Sequence, residues 1–326
     1  MLSKDTLWHI NRKKEIIKKY PQIKNYEGPF YPSFIIILLL TLFQWISAYY
    51  IYQYDLSIFN IFLLSFINAN TLYHSFGSFI HENSHGLVLG YYFKDYVSLV
   101  LELGLTSFGQ HVVYEHTHVN KHHINLNIKG LDSECTNNTH ISCLSNITNN
   151  LIINRMLYLV DLLPFGSIII QEYMKSRLLK KHVRDINYKD KYLINCCIIL
   201  SSIILLFLFY FQYYKIILFK LWTLSIYQGK FSIFRRGQSI SEHYSEDNNI
   251  DIPTRSTYSY WGNLLGFNTG YHDEHHTFPT ISWYYLPTLK NIAPDFFVNE
   301  NKLSYVTLWY YWFVSDFKNT FYRACK

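Results

Sequence analysis

The chain has 326 residues, of which 49% are hydrophobic, 19% aromatic and only 16% charged. Because soluble domains carry about a quarter charged residues, this composition argues against an ordinary soluble protein and favours one that contacts a membrane. The net charge of +6 is compatible with nucleic-acid binding, but the basic residues flank apolar runs, which favours an anionic membrane surface. The five cysteines show no CxxC pair and no disulfide-framework spacing.

Residues 1–30 are basic and amphipathic, and Pro21 ends their helical pattern. One apolar stripe on this helix could be formed by Ile10, Ile16, Ile17 and Tyr20. The pattern fits a plain surface helix or, because an apolar run follows directly, a helix that lies on membrane headgroups, which we favour. No cleavable signal sequence is visible, so the first apolar run is expected to provide membrane targeting.

Four apolar runs approach the length of about 20 residues that a membrane span needs. Basic residues precede the first run, so the N-terminus is predicted to be cytosolic, and four spans return the C-terminus to the same side. The sequence therefore predicts an all-α membrane protein with four transmembrane helices and a cytosolic helical cap. An interfacial segment (1–30) would precede the membrane domain (31–326). The predicted spans are about 33–52, 56–80, 193–214 and 216–234, and the cap comprises 81–192 and 235–326.

This topology also predicts the state of two glycosylation sequons, which begin at Asn137 and Asn146. Both sequons fall in the predicted cytosolic cap. Because N-glycans are added on the lumenal side of the membrane, we expect both to be unused.

Histidines cluster in four places, and the densest is Gly270–His276, where three histidines fall within five positions. Such spacing on a helix places imidazoles on one face, which is typical of a metal half-site. A single helix turn could hold three histidines by accident, but the other clusters favour metal binding. One ion accepts at most about six ligands, so nine imidazoles predict two metal ions. The candidate ligands are His81, His85, His118, His122, His123, His243, His272, His275 and His276.

Imidazole ligands suit zinc, copper, iron and nickel, so ligand type alone leaves the metal open. Acidic residues beside the clusters could accept ring N–H bonds and orient the ligands, although each could equally belong to a solvated helix face. His74 lies two helical turns before His81 and is a further candidate for contact with a ligand or the substrate, although a packing role inside the membrane fits it nearly as well. The acidic candidates are Glu82, Glu242, Asp273 and Glu274.

Two other classes of protein match parts of this histidine pattern. The first cluster matches the H-E-x-x-H pattern of zinc peptidases, with His81 and His85 as ligands and Glu82 as general base. That hypothesis leaves the other clusters unexplained. A metal transporter would carry its histidines inside the spans, whereas these lie at the ends of the predicted spans.

The three boxes H-x3-H, H-x3-H-H and H-x2-H-H resemble those of the membrane fatty-acyl desaturases and hydroxylases. More narrowly, the chain resembles the sphingolipid Δ4-desaturases in the run from His9 to Lys24, in Ser241-Glu242-His243-Tyr244 and in residues 267–279. The resemblance extends over about 9–295, nearly the whole chain. The N-terminal run and the last box are highly specific, whereas a generic H-x3-H is not.

The resemblance implies a di-iron centre that uses O2 and receives electrons from NADH through cytochrome b5 and its reductase. It implies removal of hydrogens at C4 and C5 of dihydroceramide to give the trans double bond of ceramide. The expected location is the endoplasmic reticulum membrane, with membrane lipids as further partners and no nucleic acid. The nearest alternative is a sphingolipid C4-hydroxylase or a bifunctional enzyme, because both reactions begin with the same hydrogen abstraction.

The chain departs from the family pattern in three places. Three residues instead of two separate His118 from His122, so His116 or a local bulge could serve at this box. Gln238 stands where the family has a histidine, and it could replace a side chain that orients a ligand or faces the substrate. The segment 125–136 is also divergent.

Overall fold

The computed structural model of the protein describes residues 2–128, 130–134, 151–167, 186–245, 252–314 and 322–323, so the sequons at Asn137 and Asn146 lie outside the described residues. Within these ranges the chain is mostly helical, with one antiparallel pair of two-residue strands, Tyr244–Ser245 and Tyr322–Arg323. The helices are α1 (Lys4–Lys19), α2 (Pro32–Gln53), α3 (Ile58–Asn70), α4 (Leu72–Ser84), α5 (Lys94–Leu105), α6 (Gln110–Thr117), α7 (Leu151–Tyr158), α8 (Tyr188–Tyr210), α9 (Tyr214–Gln228), α10 (Ile233–His243), α11 (Tyr260–Leu265), α12 (His272–Thr277), α13 (Leu286–Ile292) and α14 (Tyr305–Val314).

Two helices are long and apolar enough to cross a membrane. They are α2, with 22 residues, which contains the first predicted span, and α8, with 23 residues, which covers the third predicted span up to Tyr210. Only 28% and 22% of their most apolar windows are buried in the isolated chain. A core helix of a soluble protein would bury most of that surface, so these two helices fit a membrane protein.

The second and fourth predicted spans are interrupted. The backbone leaves the helical region at Thr71, with φ −118° and ψ −83°, so 56–80 is divided between α3 and α4. The fourth predicted span stops at Gln228, and α10 begins only at Ile233. At 1.5 Å per residue, the 13 residues of α3 extend about 20 Å, which is less than the bilayer core of about 30 Å. The expectation of one continuous helix was therefore wrong for both runs.

Asn70 explains why the two interruptions occur side by side. Its Nδ2 donates to the carbonyl of Phe231 over 3.2 Å, and its Oδ1 accepts the backbone N–H of Ile233 over 2.6 Å. Backbone groups that leave a helical ladder in an apolar bundle need such partners. The α3–α4 break and the α9–α10 break therefore stabilise each other.

The largest hydrophobic core cluster surrounds α4. Tyr73, Phe76 and Phe79 are fully buried there and pack with residues of α2, α5 and α9. This packing fixes the helix axis, and the C-terminal end of α4 then carries His81 and His85. A rigid core element thus holds two of the nine candidate ligands.

The N-terminal helix α1 ends before Pro21, as the sequence predicts. Its buried side chains are Asp5, His9, Arg12 and Ile16, whereas Ile10 is 37% exposed. Ile10 therefore lies off the face that packs against the protein, and that face is mainly polar. The interfacial role of α1 stays a prediction.

Gln44 and Asn68 form a reciprocal amide pair between α2 and α3, with N···O distances of 2.7 and 2.9 Å. Both are buried, so we expect Asn68→Leu to destabilise the protein by about 1–3 kcal/mol because it leaves the Gln44 amide unpaired. Replacing both residues by Leu should recover most of that loss. Thermal unfolding in detergent measures both effects, with the exposed Gln53→Leu as control, and equal losses for the single and double variants would contradict this explanation.

Candidate metal centre

Four segments that are far apart in the sequence meet at one buried place. They are the end of α4, the turn after α6, the end of α10 and the helix α12. Together they bring all nine candidate histidines into two groups, and the candidate ligand atoms of each group lie within 4.8 Å of one another. The first group contains His81, His85, His118, His123 and His275, and the second contains His122, His243, His272 and His276.

The second histidine box lies on a π-helical turn, His118–His122. The N–H of His123 donates to the carbonyl of His118 over 3.0 Å, which is the i→i+5 bond of such a turn. The turn accommodates the additional residue between His118 and His122, so a local bulge is present. His116 instead turns away from the two groups, with its Nδ1 2.7 Å from Asp190 Oδ2 on α8.

Neighbouring rings in the two groups face each other through their Nε2 atoms. Two nitrogens bound at about 2.1 Å to one ion in perpendicular directions lie about 3.0 Å apart. The Nε2–Nε2 distances in the structure are close to that value. They are 3.0 Å for His118–His123, 3.2 Å for His123–His275, 3.2 Å for His122–His276 and 3.1 Å for His243–His272.

Carboxylates select the tautomers of two of these rings and lie near a third. Glu134 Oε1 lies 2.9 Å from His118 Nδ1, and Asp132 Oδ1 lies 2.9 Å from His122 Nδ1. Glu242 Oε1 lies 3.5 Å from His272 Nδ1. A carboxylate accepts, so the ring proton belongs on Nδ1, and the lone pair of a neutral imidazole then lies on Nε2.

The facing Nε2 lone pairs indicate that the groups suit a cation. Burial first, and then the neighbouring histidines, lower the pKa of His275 and His276 well below 6.5, so these rings are neutral. His85 Nε2 is buried and lacks a hydrogen-bond partner among the described residues. An unpaired buried nitrogen costs free energy, which a coordinated metal ion would offset.

Sequence reasoning missed Asp132 and Glu134. They lie just after the second box, in the segment 125–136 that diverges from the family pattern. The sequence signal that could have indicated them is a pair of acidic residues separated by one residue. Glu134 reaches both groups, because its Oε1 lies 2.9 Å from His118 Nδ1 in the first group and its Oε2 lies 3.5 Å from His243 Nε2 and 3.9 Å from His122 Nε2 in the second. Burial raises the pKa of Glu134, but these histidines and His118 hold it well below its ordinary value, so the carboxylate is ionised.

Three of the four predicted acidic residues contact other partners than the histidine rings. Glu82 Oε2 accepts the backbone N–H of Trp283 over 3.1 Å, and its Oε1 is 4.0 Å from His81 Nδ1. Asp273 accepts from Arg12, and Glu274 accepts from Tyr258. Residues adjacent to a histidine on a helix project about 100° away from it, which explains why Asp273 and Glu274 point to the opposite face of α12.

Glu242 and Gln238 lie where the sequence analysis expected a residue that orients a ligand. The Gln238 Nε2 group donates to Glu242 Oε1 over 2.7 Å, and that oxygen is the one near His272. Gln238 therefore acts on the histidine group through Glu242.

A cavity of about 320 Å³ opens beside the histidines and includes His81, His118 and His272 in its wall. It extends past His74 to Gln228, and both polar side chains and apolar residues line it. His74 Nε2 is buried and has no hydrogen-bond partner among the described residues. The volume is typical of a small-molecule or lipid-chain pocket.

A further buried set of Glu102, His111 and Cys197 has metal-like composition. Its carboxylate already accepts from Ser107 Oγ over 2.8 Å and from the backbone N–H groups of Phe108 and Gly109 over 2.8 and 3.2 Å. Those N–H groups lie in the turn before α6, so Glu102 stabilises the turn from which the helix leads to His118. His111 Nδ1 lies 3.1 Å from Glu102 Oε2, so the set is explained as a structural ion pair.

A buried centre of nine histidines, beside a cavity and on helices with apolar outer surfaces, fits a membrane enzyme with a metal site. The family model for fatty acid desaturases matches residues 56–309, and the chain belongs to that family. It is therefore an oxidoreductase.

Several named proteins are similar in sequence to this chain. The sphingolipid delta(4)-desaturase DES1 of Bos taurus is 26% identical over 302 residues, covering 89% of this chain and 83% of that protein. The putative sphingolipid delta(4)-desaturase/C4-monooxygenase of Caenorhabditis elegans is 27% identical over 311 residues, covering 92% and 76%. A shorter match, 48% identical over 69 residues and covering 19% of each chain, is to the sphingolipid delta(4)-desaturase of Komagataella phaffii. No solved structure matches the chain.

Glu134→Gln removes the charged acceptor of His118 Nδ1 but keeps the side-chain shape. We expect metal affinity to fall about 10- to 100-fold, because the His118 ring loses the negative charge that favours the proton on Nδ1, and a glutamine amide can also present its donor to that nitrogen. Metal content of the purified protein across a range of metal concentrations measures this. Asp295→Asn is the control, since that carboxylate is 70% exposed. Identical metal binding by the two variants would contradict the role of Glu134.

Proposed function

We propose that the chain is a sphingolipid Δ4-desaturase that introduces a trans double bond between C4 and C5 of dihydroceramide. The observation that carries the proposal is the convergence of nine histidines in two groups at the wall of one cavity. Relatives named sphingolipid delta(4)-desaturases, aligned over 89% of this chain, support the substrate class.

Two iron ions are the proposed cofactors, with O2 as co-substrate. His81, His85, His118, His123 and His275 would hold one ion, and His122, His243, His272 and His276 the other. Neutral nitrogen donors with nearby carboxylates fit iron among the metals that accept imidazole. Such a centre supplies the oxidising power to break an unactivated C–H bond, which acid–base side chains lack. We infer that electrons arrive from NADH through cytochrome b5 and its reductase.

The cavity suits a substrate that reacts close to its polar end. C4 of the sphingoid chain is bonded to the carbon that carries the 3-hydroxyl, so oxygen atoms must enter the cavity beside the histidines. Thr117 and Ser133 line that wall and are the sequence neighbours of His118 and Glu134. The task of the wall is to hold C4 and C5 against the histidine groups and to exclude water.

C4-hydroxylation is the second candidate. The relative from Caenorhabditis elegans, whose name includes C4-monooxygenase, favours keeping it. Desaturation and hydroxylation share the first hydrogen abstraction and differ in whether a second hydrogen leaves or oxygen is transferred to carbon. The positions of C4 and C5 in the cavity would decide the ratio.

Expression in cells that lack their own desaturase, followed by mass spectrometry of the sphingoid bases, tests the function. Loss of two hydrogen atoms from dihydroceramide is the expected result, and gain of one oxygen atom would indicate hydroxylation. His275→Ala and His276→Ala should abolish product because each removes a ligand of a different ion. Unchanged yield from either variant would contradict the proposal.

Glu82→Gln provides the comparison with the zinc-peptidase hypothesis. A glutamine oxygen can still accept the Trp283 N–H, so we expect this variant to retain product. Complete loss of activity in a folded Glu82→Gln protein would favour a catalytic base at this position.

We infer a multi-pass protein of the endoplasmic reticulum membrane with both termini in the cytosol. The four spans would be α2, α3 with α4, α8 and α9, and the histidine groups would lie at the cytosolic face. The sequons at Asn137 and Asn146 should then stay unmodified. Endoglycosidase treatment of the protein expressed in eukaryotic cells checks this, and a mass shift that disappears with Asn137→Gln would contradict the topology.

A further inference from the structure

The helix α12 carries three candidate ligands but has only six residues. Isolated helices shorter than about 12 residues are marginal in water, so contacts with other elements must define its position. Its remaining polar residues, Asp273, Glu274 and Thr277, are all buried and all hydrogen-bonded to other parts of the chain. Two of these three anchors lead to the N-terminal helix α1.

The first anchor is a forked ion pair. Arg12 donates from its two terminal nitrogens to the two carboxylate oxygens of Asp273 over 2.8 and 2.9 Å. Asp273 also accepts from Thr254 Oγ1 over 2.9 Å, and its backbone N–H donates to Ser256 Oγ over 2.9 Å. The side chains of Arg12 and Asp273 are 7% and 1% exposed. A buried pair of this kind leaves an uncompensated charge if one partner is removed.

The second anchor is His9, one turn before Arg12 on the same face of α1. Its Nδ1 lies 3.0 Å from Thr277 Oγ1, and its Nε2 lies 3.2 Å from Thr254 Oγ1. The His9 ring packs 5.4 Å from the ring of His276. The second anchor therefore holds the C-terminal end of α12, while the first holds its beginning.

The surroundings of Arg12 favour arginine over lysine. The guanidinium packs over the rings of Trp8 and Phe297 at 4.6 and 4.7 Å, and it also donates to the carbonyl of Phe296. A planar fork can satisfy two carboxylate oxygens and stack on aromatic rings at once, whereas an ammonium group acts as a point charge. A lysine at this position would keep the charge and lose the orientation.

We propose that α1 supports the metal centre through two positioning residues. Arg12 acts through Asp273, and His9 acts through Thr277. They hold α12 in the rotation that directs His272, His275 and His276 into the two histidine groups. The inference rests on the proposed function only in taking these groups as iron sites. It assigns a physical role to the N-terminal run from His9 to Lys24, whose interfacial role would place no demand on Asp273.

The test uses the full-length protein in detergent, loaded with ferrous iron. We compare Arg12→Lys, which keeps the charge, with Asp273→Asn and with Lys19→Met. Lys19 lies on the same helix, and its pair with Asp295 is 53% and 70% exposed, which makes it a matched control. Bound iron per folded molecule, the Mössbauer spectrum and the thermal unfolding midpoint are measured together with the sphingoid product.

For Arg12→Lys and Asp273→Asn we expect folded protein with about 10-fold weaker iron binding and an altered spectrum. Lys19→Met should match the unmodified protein. Wild-type iron binding and spectrum in both Arg12→Lys and Asp273→Asn would overturn the proposal, and so would iron loss that only parallels loss of folded protein. Because iron is measured directly, the comparison holds even if the unmodified protein binds iron and forms no ceramide, a result that would contradict the proposed function alone.

Discussion

The structure depends on holding neutral imidazole nitrogens face to face. Nε2 atoms at 3.0–3.2 Å from each other, with the ring proton on the opposite nitrogen in His118 and His122, repel in the absence of a cation. Packing must therefore maintain a geometry that the histidines alone would not adopt. The buried carboxylates of Asp132 and Glu134, the core around α4 and the N-terminal helix all serve this requirement.

The interruptions in the helices also help to bring the histidines together. A straight helix over 56–80 would force α4 to continue along the axis of α3. A straight helix from α9 into α10 would likewise fix the position of His243 along the axis of α9. Thr71 breaks the first, the segment after Gln228 breaks the second, and Asn70 joins both breaks by two hydrogen bonds. The ends of α4 and α10 can then approach each other beside the cavity, while α2 and α8 keep long apolar surfaces.

The cavity and the histidine groups also share side chains. Three candidate ligands also line the cavity: His81, His118 and His272. A lipid chain in the cavity would therefore lie against the histidine groups without a further conformational step. Gln238 acts through Glu242 on His272, and both line the same cavity. This coupling makes Gln238 a position where a change in the cavity wall also alters the surroundings of a candidate ligand ring.

The sequence by itself determined the nine histidines, the apolar runs of α2 and α8, the end of α1 before Pro21 and the family, because local spacing and composition carry these signals. Only the tertiary structure decided that a π turn directs His118 inward while His116 pairs with Asp190. The division into five and four histidines, the contacts of Glu134, the break at Thr71 and the Arg12–Asp273 pair were also decided at that level. The physical reason is that most of these features depend on a partner far away in the chain, and no local pattern specifies which residue that partner is.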